Sequence, residues 1–290
     1  MSEPSQINTF SHQALGTTFW LRFAEEDLNF TQRAAESAFY LLDELEREIG
    51  ASGQMELANA LPSGEVISVS QSFADLWKAS EAFRVESQGA FDVRAGRLFK
   101  YWAGRAPNSF NPDDTEWAAA FDDFKASEYR MDGQELHAIK AGAAFDFNAI
   151  SSGYAVDRIT EMLESTWGIH RALVMAGSSV ARALDPPGEG TGWRMALGPP
   201  AEWLLCRSAL ASTRTGLNNS TLIDARNGVA VAGEGVVRAL ASTAREAQYL
   251  SMMGMILSET EAVRIATDNG QRGLWLSNDR RHGALIVRSA

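Results

Sequence analysis

Residues 14–24, ALGTTFWLRFA, alternate apolar and polar side chains closely enough to predict a strand. Residues 31–49 then place Ala35, Phe39, Leu42, Leu45 and Ile49 at helical spacing, so a helix follows. GEVISVS (64–70) is a short strand after a Pro-Ser-Gly turn, and residues 72–87 repeat an apolar face through Phe73, Leu76, Trp77 and Phe83 up to a break at Gly89. The Pro, Asn and Asp content of residues 105–118 predicts a surface loop. Residues 129–140 carry the Asp-Gly of a hairpin, RALVMAG (171–177) and WRMALG (193–198) are strands, and EAQYLSMMGMIL (246–257) is a buried helix. GLWLSN (273–278) and GALIVRS (283–289) form a closing hairpin.

One stretch breaks the pattern. FDFNAISSGYAVDRI (145–159) places a carboxylate, Asp146, inside a short apolar strand, ahead of a Ser-Ser-Gly turn and an amphipathic helix. A small-residue turn between strand and helix exposes backbone N–H groups and is a common phosphate site, whereas an Asp at a strand end can equally face water. Asp157 falls in the first turns of that helix, where a favourable interaction with the helix dipole explains it.

Strands and helices interleave without a regular β-α-β period, which predicts an α+β or α/β fold with a mixed or antiparallel sheet and packed helices. No repeat or linker divides the 290 residues, so the expectation is one domain over 1–290, two-lobed at most, with 1–13 as a flexible N-terminus. A net charge of −11 leaves no basic stripe, which argues against nucleic acid and anionic membrane as partners. The same charge means that a polyanionic nucleotide would need a cation or backbone dipoles to offset repulsion. Cys206 is the only cysteine and reads as a small buried hydrophobe. The sequence as given has no signal-peptide pattern and no apolar stretch of membrane-spanning length, so a cytoplasmic protein is expected. His12, His137, His170 and His282 are dispersed and match no ligand spacing.

Taken together, ALGTTFWLRF (14–23), GAFDVRAGRLFKYW (89–102), DFNAISSGYAVDRI (146–159) and LIDARNG (222–228) resemble, in order and spacing, segments of the ApbE family, the FAD:protein FMN transferases. GQMELAN (53–59) and AGSSV (176–180) fall where that family has a segment ending in Asn and a Gly-Gly-Asp or Gly-Gly-Asn. The resemblance implies a T-fold-related domain with FAD held in a cleft. It further implies cofactor contacts from Leu15, Ala90, Phe91, Asp92, Asp146, Ser152 and Leu222, and Mg²⁺ bound through the Ala149 carbonyl. The reaction implied is transfer of FMN from FAD to a Ser or Thr of an acceptor protein, with release of AMP.

The same resemblance exposes departures. Ser152 stands where relatives usually carry Lys. The catalytic positions the resemblance implies are Thr221 and Asp224; Thr221 stands at the family's catalytic His, and a hydroxyl with no titration near pH 7 cannot act as a base. Relatives hold Mg²⁺ with an Asp and a Thr four residues apart on their last helix. Matched to REAQYLS (245–251), the metal candidates here are Glu246 and Ser251, with Leu250 at the Thr position. An altered transferase is one reading. A binding relative that has lost transfer, or that slowly cleaves FAD, is a second, and a scaffold or interaction protein is a third.

Overall fold

A computed structural model describes residues 6–50, 52–195, 203–215, 222–232, 235–268 and 273–278. In chain order these form β1 (Ile7–Ala14), β2 (Thr17–Ala24), α1 (Leu28–Ile49), α2 (Gln54–Ala60), β3 (Val66–Ser68), α3 (Gln71–Glu86), α4 (Gly96–Trp102) and α5 (Thr115–Ala126). The hairpin β4 (Glu128–Asp132) and β5 (Glu135–Lys140) leads to α6 (Asn148–Ser165), β6 (Ala172–Ala176) and β7 (Val180–Ala183). Then come β8 (Trp193–Met195), β9 (Trp203–Leu205), β10 (Ser208–Thr215), β11 (Ile223–Asp224), β12 (Val229–Ala230), β13 (Gly235–Ala241), α7 (Ala244–Ile256), α8 (Glu259–Asp268) and β14 (Gly273–Asn278). The expected strand 283–289, His282, Thr221 and the end of WRMALG lie outside the described residues.

Seven strands make the main sheet in the order β1-β2-β6-β7-β10-β13-β14, and each neighbouring pair is antiparallel. Its inner face is lined by Phe19, Leu21 and Phe23 of β2, Val174 of β6, and Ala209, Ala211, Ala239 and Ala241 further along. The four alanines remove bulk where α7 lies on β10 and β13, so this helix packs between the sheet and α6 and buries Ala247, Tyr249, Leu250, Met252 and Met253. α1 starts at Asp27, whose carboxylate accepts the Phe30 N–H at 3.0 Å, and buries Ala34, Ala35, Ala38, Leu42, Leu45 and Ile49 on one stripe. The outer face is covered by the β8–β9 hairpin through Trp193 and Leu205, packed on Leu173, Ala181, Ala183 and Leu210. Among the described residues no helix is long and apolar enough to cross a membrane.

Several expectations change here. The segment before residue 14 is not a free terminus from residue 7 on: β1 pairs with the whole of β2, through a two-residue turn in which Leu15 and Gly16 have φ of 50° and 71°. Residues 105–118 are not loop throughout, because Asp114 caps Glu116 and Trp117 and starts α5. Cys206 is exposed, not buried, since it sits in the turn between β9 and β10.

Candidate functional site

A cleft of about 850 Å³ opens between α7, the first turn of α6, the β6–β7 turn, the end of β10 and the segments 90–93 and 222–225. Each wall is set by local chemistry. After α3 the chain reverses through Gln88 and Gly89, with φ of 54° and 85°, and the Ser87 hydroxyl accepts the Phe91 N–H at 3.0 Å. Ala90, Phe91 and Asp92 thereby border the cleft. Asp92 is buried, accepts the Arg94 N–H at 2.9 Å and holds the Arg94 guanidinium at 2.6 Å, so it performs the turn-capping role as well as lining the wall. The 222–228 loop is fixed by the Trp102 and Trp117 indoles, which both donate to the Gly228 carbonyl, and by the Ala225 N–H donating to the Ala90 carbonyl. This brings Leu222 into the cleft.

The opposite wall begins at Asp146. Asn59 pairs with the backbone of Phe145, accepting its N–H at 2.6 Å, and the Asp146 N–H donates to Val93, so the approach to α6 is held from both sides. The Asp146 carboxylate accepts the Asn148 N–H at 2.8 Å. Burial pushes its carboxyl above the ordinary range, partly offset by that N–H. Among the described residues no guanidinium or ammonium pairs with it. Ser151, Ser152 and Gly153 do not form an open turn: α6 has already begun at Asn148, and the Ile150 and Ser151 N–H groups donate to Phe147. A phosphate nest at these residues is therefore absent, because the backbone donors are spent on helix and cap.

Gly153 lies where α6 meets α7. A Cβ there would fall 2.7 Å from the Arg245 Cα and 2.8 Å from the Ala244 carbonyl oxygen. Asp157, three turns into α6 and buried, does not serve its own helix: it accepts the Ala244 N–H at 2.7 Å and the Arg245 N–H at 3.0 Å at the start of α7, and pairs with Arg182 at 2.8 Å. The dipole expectation for Asp157 is thus corrected to a cap on the neighbouring helix. Burial pushes its carboxyl upward against the opposing pull of Arg182 and the two N–H groups.

The register of α7 also differs from the expectation. The positions that face the cleft are Gln248, Met252 and Ile256, four residues apart on one stripe. Glu246 is off this stripe and bonds Ser242. Ser251 is buried, in a 2.7 Å hydroxyl pair with Thr213 and donating to the Gln248 carbonyl. The helical spacing of 248, 252 and 256, and not the carboxylate of Glu246, marks the face that α7 turns to the cleft. Ser152 is held by the Gln248 amide at 3.1 Å and does not border the cleft. Leu15 is in the β1–β2 turn, its N–H on Glu46, also away from the cleft. Asp224 lies outside the lining as well, with both oxygens held by Arg226, which reaches on to Glu261 at 2.7 Å. Ala149 does border the cleft. Residues not singled out in the sequence but present on its walls include Asn148, Phe99 and Arg214. His12 is stacked on Phe39 and bonded to Asp43, remote from this site.

A family model described as the ApbE family matches residues 15–274. No curated protein matches the sequence. Among solved structures, a flavin transferase ApbE from Vibrio cholerae has a TM-score of 0.80 at 21% identity, over 94% of each chain. The apo form of a flavinyl transferase ApbE from Pseudomonas stutzeri has a TM-score of 0.80 at 20% identity, over 95% of this chain and 94% of that one. An ApbE protein from Thermotoga maritima has a TM-score of 0.77 at 22% identity, over 98% and 97%. These likenesses establish the fold.

Proposed function

The chain belongs to the ApbE family, and we propose that its cleft binds FAD and that the protein is a flavin transferase acting on a Ser or Thr of an acceptor protein. The observation that carries this is the convergence of four separated segments, 90–93, 146–149, 178–180 and 222–225, on one cleft together with α7. These are the segments that resemble the family in sequence. The walls suit a flavin: Phe91, Phe99, Leu222, Met252 and Ile256 offer apolar surface, and Asp146 and the Ser178 and Ser179 hydroxyls supply a few polar groups to orient it. Ala90, Phe91, Asp92, Asp146 and Leu222 are the proposed contacts, with Ser152 bonded to Gln248 behind the wall and Leu15 playing no part in it.

In transfer, the acceptor hydroxyl oxygen bonds to the phosphorus of the FMN half, the pyrophosphate P–O bond breaks with its electrons leaving on AMP, and the hydroxyl proton must go to a base. Asp146, whose carboxyl burial raises and which pairs with no guanidinium among the described residues, is the cleft carboxylate able to take it; Asp224 is bound up by Arg226.

The family's Mg²⁺ does not fit the groups present. Among the described residues no three His, Cys, Asp or Glu side chains are grouped to hold a metal ion. The cleft-facing pair on α7 is a neutral amide and a thioether, and a hard octahedral cation selects oxygen anions. The same two residues favour a second reading, in which the protein binds FAD and transfers FMN slowly or not at all.

Titration calorimetry with FAD tests binding. Incubation with FAD and an acceptor carrying a Ser or Thr in an Asp-, Gly- and Ala-rich segment, followed by in-gel flavin fluorescence and chromatography of AMP, tests transfer. FAD binding with covalent fluorescence supports the first reading; binding with neither fluorescence nor AMP supports the second; absence of binding removes both.

A further inference from the structure

We propose that the cleft neutralises the phosphates of its ligand with Arg214 and requires no divalent cation. This rests on the reading that the cleft takes FAD, and deepens it.

The first ground is that the place a cation would take between α6 and α7 is already bridged by protein. Gln248 accepts the Gly153 N–H at 2.8 Å through its amide oxygen, and its Nε2 donates to the Ser152 hydroxyl at 3.1 Å. That oxygen, the one hard donor the side chain owns, is committed to α6. Four residues on, Met252 offers a soft sulfur. The amide of Gln248 thus ties together the two helices from which relatives draw their metal ligands.

The second ground is charge. FAD brings a pyrophosphate to a chain of net charge −11, and some positive group must meet it. Arg214, at the end of β10, is the single cationic side chain on the described cleft wall. It is exposed, and among the described residues no carboxylate pairs with it, whereas the guanidiniums of Arg94, Arg182 and Arg226 are each spent on an Asp. Arg238 on β13 lies close enough that burial first and Arg214 second hold its guanidinium below its ordinary value, so the charge of Arg214 is felt across the β10–β13 pair. Ser178, Ser179 and Ser212 line the same wall as Arg214, and their hydroxyls can add donors to a phosphate shell.

The test is calorimetry of the full chain with FAD, ADP and riboflavin, each in EDTA and in excess Mg²⁺. FAD and ADP are expected to bind equally well in both. Arg214→Ala should weaken FAD and ADP by about tenfold to a hundredfold, the range for a hydrogen bond to a charged group, and leave riboflavin unchanged. Arg214→Lys should recover part of the loss. Gln248→Asp with Met252→Thr should make FAD affinity depend on Mg²⁺. A parent protein whose FAD affinity rises with Mg²⁺, or an Arg214→Ala variant that binds FAD as the parent does, overturns the inference while leaving the cleft reading intact. Absence of FAD binding by a folded parent in every condition overturns the cleft reading, and the inference with it.

Discussion

Replacing Asp157 by Ala should cost the fold far more than its position in the sequence implies. In an α-helix the first N–H groups have no intrahelical acceptor. At the start of α7 the accounting is complete: Ala244 and Arg245 donate to Asp157, Glu246 donates to the Thr243 hydroxyl, and Ala247 is the first to reach a helical carbonyl. Ala at position 157 orphans two N–H groups in a buried contact, each worth about 1–3 kcal/mol, so the loss is about 2–6 kcal/mol. That is a large part of the roughly 5–15 kcal/mol by which a domain is stable. Each Asp157 oxygen accepts one of these N–H groups, and one oxygen also holds Arg182, so its acceptor oxygens are what the start of α7 depends on. Asp157→Asn, which keeps one oxygen, should therefore lose less than Ala. Urea unfolding followed by tryptophan fluorescence and circular dichroism measures both. An exposed carboxylate near a helix start would contribute only about 0.3–1 kcal/mol. A loss of that size for Ala, or a larger loss for Asn than for Ala, refutes the reasoning.

Gly153→Ala should destabilise by about 1–3 kcal/mol, because the new methyl meets backbone of α7 that cannot yield without parting the helices; unchanged urea midpoints would contradict this. Asp146 has a folded pKa raised by burial, so its stabilising contribution is full below the ordinary carboxylate range and is lost as pH rises through the folded value. Asp146→Asn keeps the bond to Asn148 and should be more stable than the parent at pH 7, with the difference vanishing in acid; a less stable variant at pH 7 counts against it. Glu261 has the opposite sign, its carboxyl lowered to about 2 by the Ser258 hydroxyl and then by Arg226. Its contribution is present above the ordinary carboxylate range and lost as pH falls toward 2, so Glu261→Gln should flatten the acid limb of the stability profile.

How much of this was legible in the sequence depends on whether a residue's partners are near it in the chain. β2, α1, α3 and α7 have apolar periodicity of their own, and the structure has them where that periodicity predicts. β1 is polar at Asn8, His12 and Gln13 and owes its existence to backbone pairing with β2, which leaves no pattern to read. The Ser-Ser-Gly of residues 151–153 resembles a turn because its residues are small. They are small because α7 crosses there, and Gln248, which bonds Gly153, is 95 residues distant in the chain. Within the site, Ala90, Phe91, Asp92, Asp146, Ala149 and Leu222 came from segments whose order along the chain was visible. Arg214 did not, since a lone Arg in a strand carries no signal until the fold places it beside the rest.

One helix pair connects the stability of the protein to its site. α6 and α7 run antiparallel, and α6 meets its partner with Ala149, Gly153 and Asp157, four residues apart, as α7 does with Ala244, Gln248, Met252 and Ile256. At one end the contact is the buried carboxylate of Asp157 on the start of α7; in the middle it is Gly153 against backbone, with Gln248 bonded across. At the far end, Ala149, Met252 and Ile256 separate to line the cleft. The spacing of the cleft walls therefore follows from contacts about two turns away that touch no ligand. Substitutions at 153 or 157 should change FAD affinity together with stability, while the volume-conserving changes Met252→Leu and Ile256→Met should change affinity with little loss of stability, both side chains being packed on the core as well as lining the cleft. Measuring both quantities on the same four variants separates the end of the helix pair that holds the fold from the end that holds the ligand.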